Sequence, residues 1–306
     1  MLSVLAFSVA VAVAQGSQVV LVALPEGREL GRWQLPAHPS GLFASPDGAL
    51  WAPLAGDAGT AVLVPGQTPK FLEGRLVPLF FREADRLFAV CPGELRLLSN
   101  PERAEIARFP LPAGLDVRFA VASHDGRVVA LLAGRANPEL ILVFPFDGGQ
   151  NVQVRLPSSM VSGTVALGTS LVAVGAGRSL WLAPVGSPQG VSLELPGETV
   201  ALAWGREERE LFLLVSAPQA HLLRVKVPAK LARLKPPSLV WQASGRPRGM
   251  VASDEGQVVL DDQGVSLVSP KGKLLGSVPL AGGTALAVLP QRPQAESVPW
   301  SDTANP

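Results

Sequence analysis

Short turn motifs recur along this chain about every 40 residues, and this recurrence limits the fold more than any other feature of the sequence. The clearest are Ser45-Pro46-Asp47-Gly48 and Ser123-His124-Asp125-Gly126, in which glycine accepts a positive φ and aspartate hydrogen-bonds its own backbone. Weaker versions keep the spacing: the six marker residues, at intervals of 38, 40, 44, 38 and 48, are Asp47, Asp85, Asp125, Thr169, Glu207 and Glu255. The apolar runs between them have the length of strands, not helices.

Each repeat contains about four short apolar runs, a pattern typical of a β-propeller blade. Six full units are predicted, at about residues 38–75, 76–112, 113–157, 158–197, 198–245 and 246–281. In the third unit the predicted strands are Val117–Ala122, Arg127–Leu132, Glu139–Phe144 and Asn151–Leu156. The middle strands are almost continuously apolar, as expected when neighbouring blades cover both faces of a sheet. The sequence therefore predicts an all-β fold.

The two ends of the chain supply the strands of a seventh unit. Gly283–Val288 reads as a first strand, and Ser8–Ala14, Gln18–Leu24 and Glu29–Leu35 read as the other three. Sharing one blade between the two ends closes the ring and removes open sheet edges. We therefore predict a seven-bladed β-propeller of four-stranded antiparallel blades, a single domain over residues 1–290, followed by a flexible tail over 291–306.

The first fourteen residues allow a second interpretation. Met1–Ala14 is uncharged and apolar and ends in small residues, which resembles a signal peptide and its cleavage site. It lacks the basic start of such a peptide, and it is too short to cross a bilayer as a helix. Cleavage after Ala14 would also leave the closing blade with three strands, so the repeat arithmetic favours a strand.

Bulk composition excludes several classes of partner. The net charge is +1 over 306 residues, so no overall field gathers nucleic acid, and we expect no nucleic-acid partner. No apolar run is long enough for a transmembrane helix, so the protein is predicted not to span a membrane. Cys91 is the single cysteine, and its place in an apolar run predicts a buried, inert thiol.

The first unit resembles the bacterial YVTN-type β-propeller repeat. The segments that carry the resemblance are Val9–Gln18, Pro36–Gly41 and Ser45–Gly48, and Ser123–Gly126 is similar to the last of these. This sequence departs from the family pattern in having no tyrosine. Where the family repeat has its Tyr-Val-Thr-Asn strand, this chain has alanine and valine. The resemblance implies a seven-bladed ring and an extracytoplasmic place, in the periplasm or at the cell surface, with the cytoplasm as the alternative. It implies no particular activity.

Charged residues are predicted to collect at one mouth of the ring channel. In a propeller, the loops leading into the first strands and those between second and third strands meet at the same mouth. The predicted binding residues there are His38, Arg75, Asp116, Arg118, Arg135, Arg178, Arg246, Arg248 and Asp261, with Asp57, Asn137, Glu198 and Asp262 beside them. Guanidinium groups suit carboxylates and phosphates, so this mouth could take an anionic molecule or an acidic segment of a partner. The alternative is a solvated rim whose arginines and carboxylates pair with one another.

Signatures of metal, cofactor and nucleophilic chemistry are absent from the sequence. The three histidines, His38, His124 and His221, fall at different places in their repeats, which argues against a shared metal site. No Gly-x-Ser-x-Gly elbow, phosphate-binding loop or dinucleotide fingerprint occurs, and we predict no cofactor and no catalytic residues.

Two classes of function follow. The favoured hypothesis is a non-catalytic scaffold that recognises a protein partner. The alternative is a ligand site at the channel mouth, in either a lactonase-like or hydrolase-like enzyme or a sensor of a small anion.

Overall fold

The computed structural model describes residues 9–290 except 57, 75, 82, 84, 92, 101, 135–136, 158–159, 161–162, 206–207 and 218. In chain order the first fourteen strands are β1 (Val9–Gln15), β2 (Gln18–Leu24), β3 (Arg28–Gln34), β4 (Phe43–Ala44), β5 (Leu50–Pro53), β6 (Thr60–Leu63), β7 (Lys70–Leu72), β8 (Pro78–Leu79), β9 (Arg86–Cys91), β10 (Glu94–Ser99), β11 (Glu105–Pro110), β12 (Val117–Ala122), β13 (Val129–Ala133) and β14 (Glu139–Phe144). The next fourteen are β15 (Gln150–Arg155), β16 (Thr164–Leu167), β17 (Leu171–Ala176), β18 (Ser179–Pro184), β19 (Val191–Glu194), β20 (Glu198–Trp204), β21 (Glu210–Ser216), β22 (Ala220–Lys226), β23 (Ser238–Gln242), β24 (Pro247–Ser253), β25 (Gly256–Asp261), β26 (Gly264–Val268), β27 (Leu274–Pro279) and β28 (Gly283–Val288). A short 3₁₀ helix, Leu231–Arg233, separates β22 from β23.

These strands form seven antiparallel sheets of four strands each, which confirms the predicted seven-bladed β-propeller. Six sheets are made of consecutive strands, β4–β7, β8–β11, β12–β15, β16–β19, β20–β23 and β24–β27. The innermost strands of successive blades contact one another from β8 through β12, β16, β20, β24 and β28 to β4. These innermost strands surround the channel.

The seventh sheet, which we call the closing blade, joins the two ends of the chain as predicted. Its strand order is β28-β1-β2-β3. Strand β1 lies between β28 and β2, with Val11 opposite both Val288 and Val22. Because both edges of β1 are paired, backbone hydrogen bonds as well as side-chain packing hold the ring closed.

The hydrophobic core is divided among the interfaces between blades. Within the described residues, seven buried clusters occur, one between each pair of neighbouring blades. For example, Leu21 and Trp33 of the closing blade pack with Leu50 and Leu63 of the next blade. The middle strands are almost wholly buried because each contributes side chains to the clusters on both of its faces, which explains their continuous apolar runs.

The turn motifs close the hairpins between first and second strands, as their chemistry predicts. In the turn after β12, the Gly126 N–H donates to the Ser123 carbonyl (2.9 Å), and the Ser123 hydroxyl donates to the Asp125 carboxylate (2.7 Å). Gly126 has a φ of +71°, which glycine adopts readily. Two strands of the third unit differ from the predicted bounds: β13 starts at Val129 rather than at Arg127 and ends at Ala133, and β15 is shifted by one residue to Gln150–Arg155. The residues just before β13 belong to this turn.

This architecture gives the channel two distinct mouths. The loops leading into the innermost strands and those between second and third strands lie at one, which we call the loop mouth. The hairpin turns between first and second strands lie at the other, which we call the turn mouth.

Candidate functional site

The predicted binding residues that the structure describes lie at the loop mouth or at the start of an innermost strand. His38, Asp116 and Arg246 are exposed in loops that lead into β4, β12 and β24, and Arg178 is exposed in the turn between β17 and β18. Arg75, Arg135 and Asp57 lie outside the described residues. The described part of the predicted set is therefore spread around the mouth rather than gathered at one point.

Arg118 and Arg248 occupy equivalent positions in two blades. Arg118 is the extra, unpaired residue of a β-bulge near the start of β12, and Arg248 is the extra residue of the matching bulge in β24. Both side chains are exposed. Their blades are three steps apart in a ring of seven, so the two arginines project from nearly opposite sides of the channel. A bulge commonly re-aims a side chain at a site.

The arginines differ in their partners. Arg118 lies 3.9 Å from the Asp116 carboxylate, and Arg178 lies 3.7 Å from that of Glu194 and donates to the Leu195 carbonyl (3.2 Å). For Arg246 and Arg248, by contrast, the described residues offer the guanidinium groups no ion-pair or hydrogen-bond partner. Among the described arginines of the predicted set, these two are free to pair with an anionic group.

The predicted acidic residues at this mouth support the loops. Asp261 is only 7% exposed, and its Oδ1 accepts the backbone N–H groups of Gln263 and Gly264, each at 2.9 Å. The Asp262 carboxylate accepts the backbone N–H of Arg246 (2.9 Å), which fixes the loop that carries this arginine. Asp261 is thus engaged by the turn after β25.

The three histidines do not share a site. His38 is exposed at the loop mouth, His124 lies at the turn mouth, and His221 lies in β22. Across the described ranges, no group of three or more histidine, cysteine, aspartate or glutamate side chains is arranged to hold a metal ion.

A large cavity lies at the turn mouth, where no site was predicted. It has a volume of about 1120 Å³, and its wall contains the ends of the innermost strands and the turns that follow them. Apolar and aromatic residues of this wall include Phe80, Trp204, Phe212, Val251 and Val288, and polar ones include His124, Asp254 and Gln257. A shallower hollow of about 550 Å³ at the loop mouth borders Asp116 and Asn137.

Two aromatic side chains of this cavity are fixed by contacts outside it. The Trp204 indole N–H donates to the Ala166 carbonyl in the neighbouring blade (3.1 Å). Phe80 packs edge-to-face on the buried Trp51, with the ring centroids 5.7 Å apart. The sequence signal that could have indicated this wall is the presence of aromatic residues at the ends of first strands. The wall is therefore held in place before any ligand enters.

Comparison with known proteins places the fold in the class of seven-bladed β-propellers. No protein-family model matches the chain, and no curated protein matches it either. The YVTN-type repeat therefore stays a prediction. No helix in the described part of the chain is long and apolar enough to cross a membrane.

Solved structures share the fold at low sequence identity. A protein described as a putative 6-phosphogluconolactonase, from Bacteroides fragilis, is similar with a TM-score of 0.66 at 10% identity, over 94% of this chain and 99% of that one. The periplasmic gluconolactonase PpgL of Pseudomonas aeruginosa gives a TM-score of 0.63 at 15% identity, over 92% of this chain and 99% of that one. AztD from Citrobacter koseri, in its apo form, gives a TM-score of 0.61 at 13% identity, over 92% of this chain and 98% of that one. At such identities the similarity concerns the fold alone.

Proposed function

We propose that this protein is a non-catalytic recognition scaffold whose loop mouth binds an acidic segment of a protein partner. The observation that carries the proposal is the pair Arg246 and Arg248, two exposed guanidinium groups with no partner among the described residues. Arg118, in the equivalent bulge across the channel, adds a third cation, partly balanced by Asp116.

The closed ring supports a binding role because it presents these groups on a rigid frame. Arg248 stands on a strand, and the loop of Arg246 is fixed by the Asp262 carboxylate. A partner carboxylate then meets guanidinium groups whose backbone is already ordered, so less conformational entropy is lost on binding. Planar guanidinium groups can bind a carboxylate with two hydrogen bonds.

The test measures binding of acetyl-hexaglutamate amide to the full chain by calorimetry, at low and at moderate salt. We expect the double variant Arg246→Ala, Arg248→Ala to bind about tenfold more weakly, and we expect salt to weaken the wild-type complex. Arg28→Ala, Arg155→Ala is the matched control, since both arginines are exposed on outer strands β3 and β15. Thermal unfolding should be nearly unchanged in both double variants. Equal binding by the wild type and the Arg246/Arg248 variant would refute the proposal.

The second candidate function is a lactonase-like enzyme that hydrolyses a phosphorylated sugar lactone at the same mouth. One structural neighbour is named as a putative 6-phosphogluconolactonase and another as a gluconolactonase, and the same free arginines suit the phosphate of such a lactone. The assay follows hydrolysis of 6-phosphoglucono-δ-lactone above the uncatalysed rate. Turnover that disappears in the Arg246→Ala, Arg248→Ala variant but persists in the Arg28→Ala, Arg155→Ala variant would favour the enzyme over the scaffold.

A further inference from the structure

The cavity at the turn mouth contains two acceptor groups that have no donor or counter-ion among the described residues. Gln257 borders the cavity and is 2% exposed, and its Oε1 has no hydrogen-bond partner among the described residues. Burying a hydrogen-bond acceptor without a partner costs free energy. A ligand that donates a hydrogen bond to it recovers part of that cost. Because the side chain borders the cavity, a ligand N–H can supply the donor, directly or through one water molecule.

Asp254 supplies an unbalanced negative charge on the same side of the cavity. It is exposed, belongs to the turn that joins β24 to β25, and has no ion-pair partner in the described ranges. The other charged wall residues are engaged: Glu210 lies 3.4 Å from the Arg224 guanidinium, and Arg209 takes part in an interaction of its own. The charge that a ligand meets on this blade is therefore negative.

Much of the remaining wall, both beside and across from these acceptors, is apolar and aromatic. Trp204 lies in the blade next to that of Asp254, and Phe80 lies in a blade across the ring. Aromatic rings bury apolar surface and also attract cations. The cavity volume of about 1120 Å³ is ample for a small organic molecule.

We propose that the turn mouth binds a small organic ammonium compound with an aromatic body. Its ring lies against Trp204 and Val251, and its ammonium group pairs with the Asp254 carboxylate. One of its N–H groups donates a hydrogen bond to Gln257 Oε1. This site is separate from the proposed function, because Arg246 and Arg248 lie at the opposite mouth and either site can fail without the other.

Three probes that differ only in the terminal group of one side chain test the charge requirement: tryptamine, its neutral alcohol analogue tryptophol, and indole-3-propionate. With the full chain in a calorimeter, tryptamine should bind at least about tenfold more tightly than tryptophol, and indole-3-propionate should bind most weakly. Equal affinity for the three probes, or no binding of tryptamine at millimolar concentration, would overturn the proposal.

Variants of the two acceptors test the location. Asp254→Asn should weaken tryptamine binding about tenfold and reduce the preference over tryptophol, while Glu255→Gln, the neighbour that does not border the cavity, should change it less than about twofold. Gln257→Leu should also weaken binding, yet it should leave the melting temperature unchanged or raise it, because it removes an unsatisfied acceptor. Unchanged tryptamine binding in both Asp254→Asn and Gln257→Leu would place the site elsewhere and contradict the proposal.

One further variant tests whether the cavity is open to a ligand in the full chain. Pro290 borders the cavity, and the sequence continues from it to Trp300. Tryptamine should bind the wild type and Trp300→Ala equally. Binding seen only in Trp300→Ala would mean that the chain's own segment is the occupant, and it would overturn the proposal.

Discussion

The Glu208 carboxylate accepts hydrogen bonds from the backbone N–H and the hydroxyl of Ser170, each at 3.1 Å. The backbone N–H of Thr169 donates to the same carboxylate. Glu208 lies in the turn after β20 and Ser170 in the turn after β16, so these bonds tie two adjacent blades together at the turn mouth. Burial alone would raise the pKa of Glu208, but the hydrogen bonds from Thr169 and Ser170 outweigh it and hold this pKa below its usual value.

Glu208→Gln should lower the free energy of unfolding by about 1 kcal/mol at neutral pH, after allowance for solvent exposure. A carboxylate whose pKa is lower in the folded protein stabilises the fold above its unfolded-state pKa. That contribution is lost as the pH falls below about 4.5 and through the folded-state pKa. Chemical denaturation at pH 7 and pH 3 measures the difference, which should shrink at pH 3. A wild-type-to-variant difference that is the same at both pH values would contradict this account.

The ring and its closure could be predicted from the sequence because they depend on local signals that repeat. Aspartate–glycine turns fix hairpins through backbone geometry, and apolar runs of strand length fix which segments are buried. Counting the runs at the two ends then required one shared blade, which β28 and β1 form. The sequence does not indicate the exact start of β13, because the turn before it uses the backbone N–H of Val128, which donates to the hydroxyl oxygen of Ser123.

Removing residues 1–14 should abolish cooperative folding. Strand β1 pairs with both β28 and β2, and Val11, Ala12, Val13 and Ala14 are each 0% exposed. Without them two strands lose their partner and two blade interfaces lose core side chains. Circular dichroism during heating, with a chain that lacks only residues 1–8 as the control, measures the effect. A sharp transition in the chain lacking 1–14 would show that closure by β1 is dispensable.

Gly272→Ala should destabilise the protein much more than Gly66→Ala. Both glycines have positive φ, +86° and +78°, so alanine carries a similar backbone cost of about 1–2 kcal/mol at each. A Cβ at Gly272 would also lie 2.1 Å from the Val240 carbonyl oxygen in the adjacent blade, whereas a Cβ at Gly66 meets nothing within 4 Å. The clash should add about 1–3 kcal/mol, measured by urea unfolding. Equal losses would mean that the two blades can separate at Gly272 without cost.

The cavity at the turn mouth could not be predicted from the sequence. Its wall collects one or two residues from many blades, such as Phe80, Trp204 and Val251, which are far apart in the chain. Each of them also fits the pattern of an ordinary strand residue, so nothing local separates a wall position from a core position. The arginines of the loop mouth were easier to find, because a charge at the start of a strand stands out against an apolar run. Which of them lack a counter-ion depends on neighbours such as Asp116 and Glu194.

Cys91 should react slowly with iodoacetamide at neutral pH. It is half-buried at the end of β9, less enclosed than the apolar run predicts. Burial raises the pKa of its thiol, and the Glu94 and Glu105 carboxylates act in the same direction, whereas Arg96 opposes them. Since the thiolate is the nucleophile, a raised pKa lowers the reactive fraction at pH 7 and moves the rise in rate to higher pH.

Cys91 is the chain's single cysteine, so mass spectrometry of the intact protein follows this one site, with the urea-unfolded chain as reference. If the folded protein reacted as fast as the unfolded chain at pH 7, the Cys91 thiol would be neither shielded from the reagent nor raised in pKa.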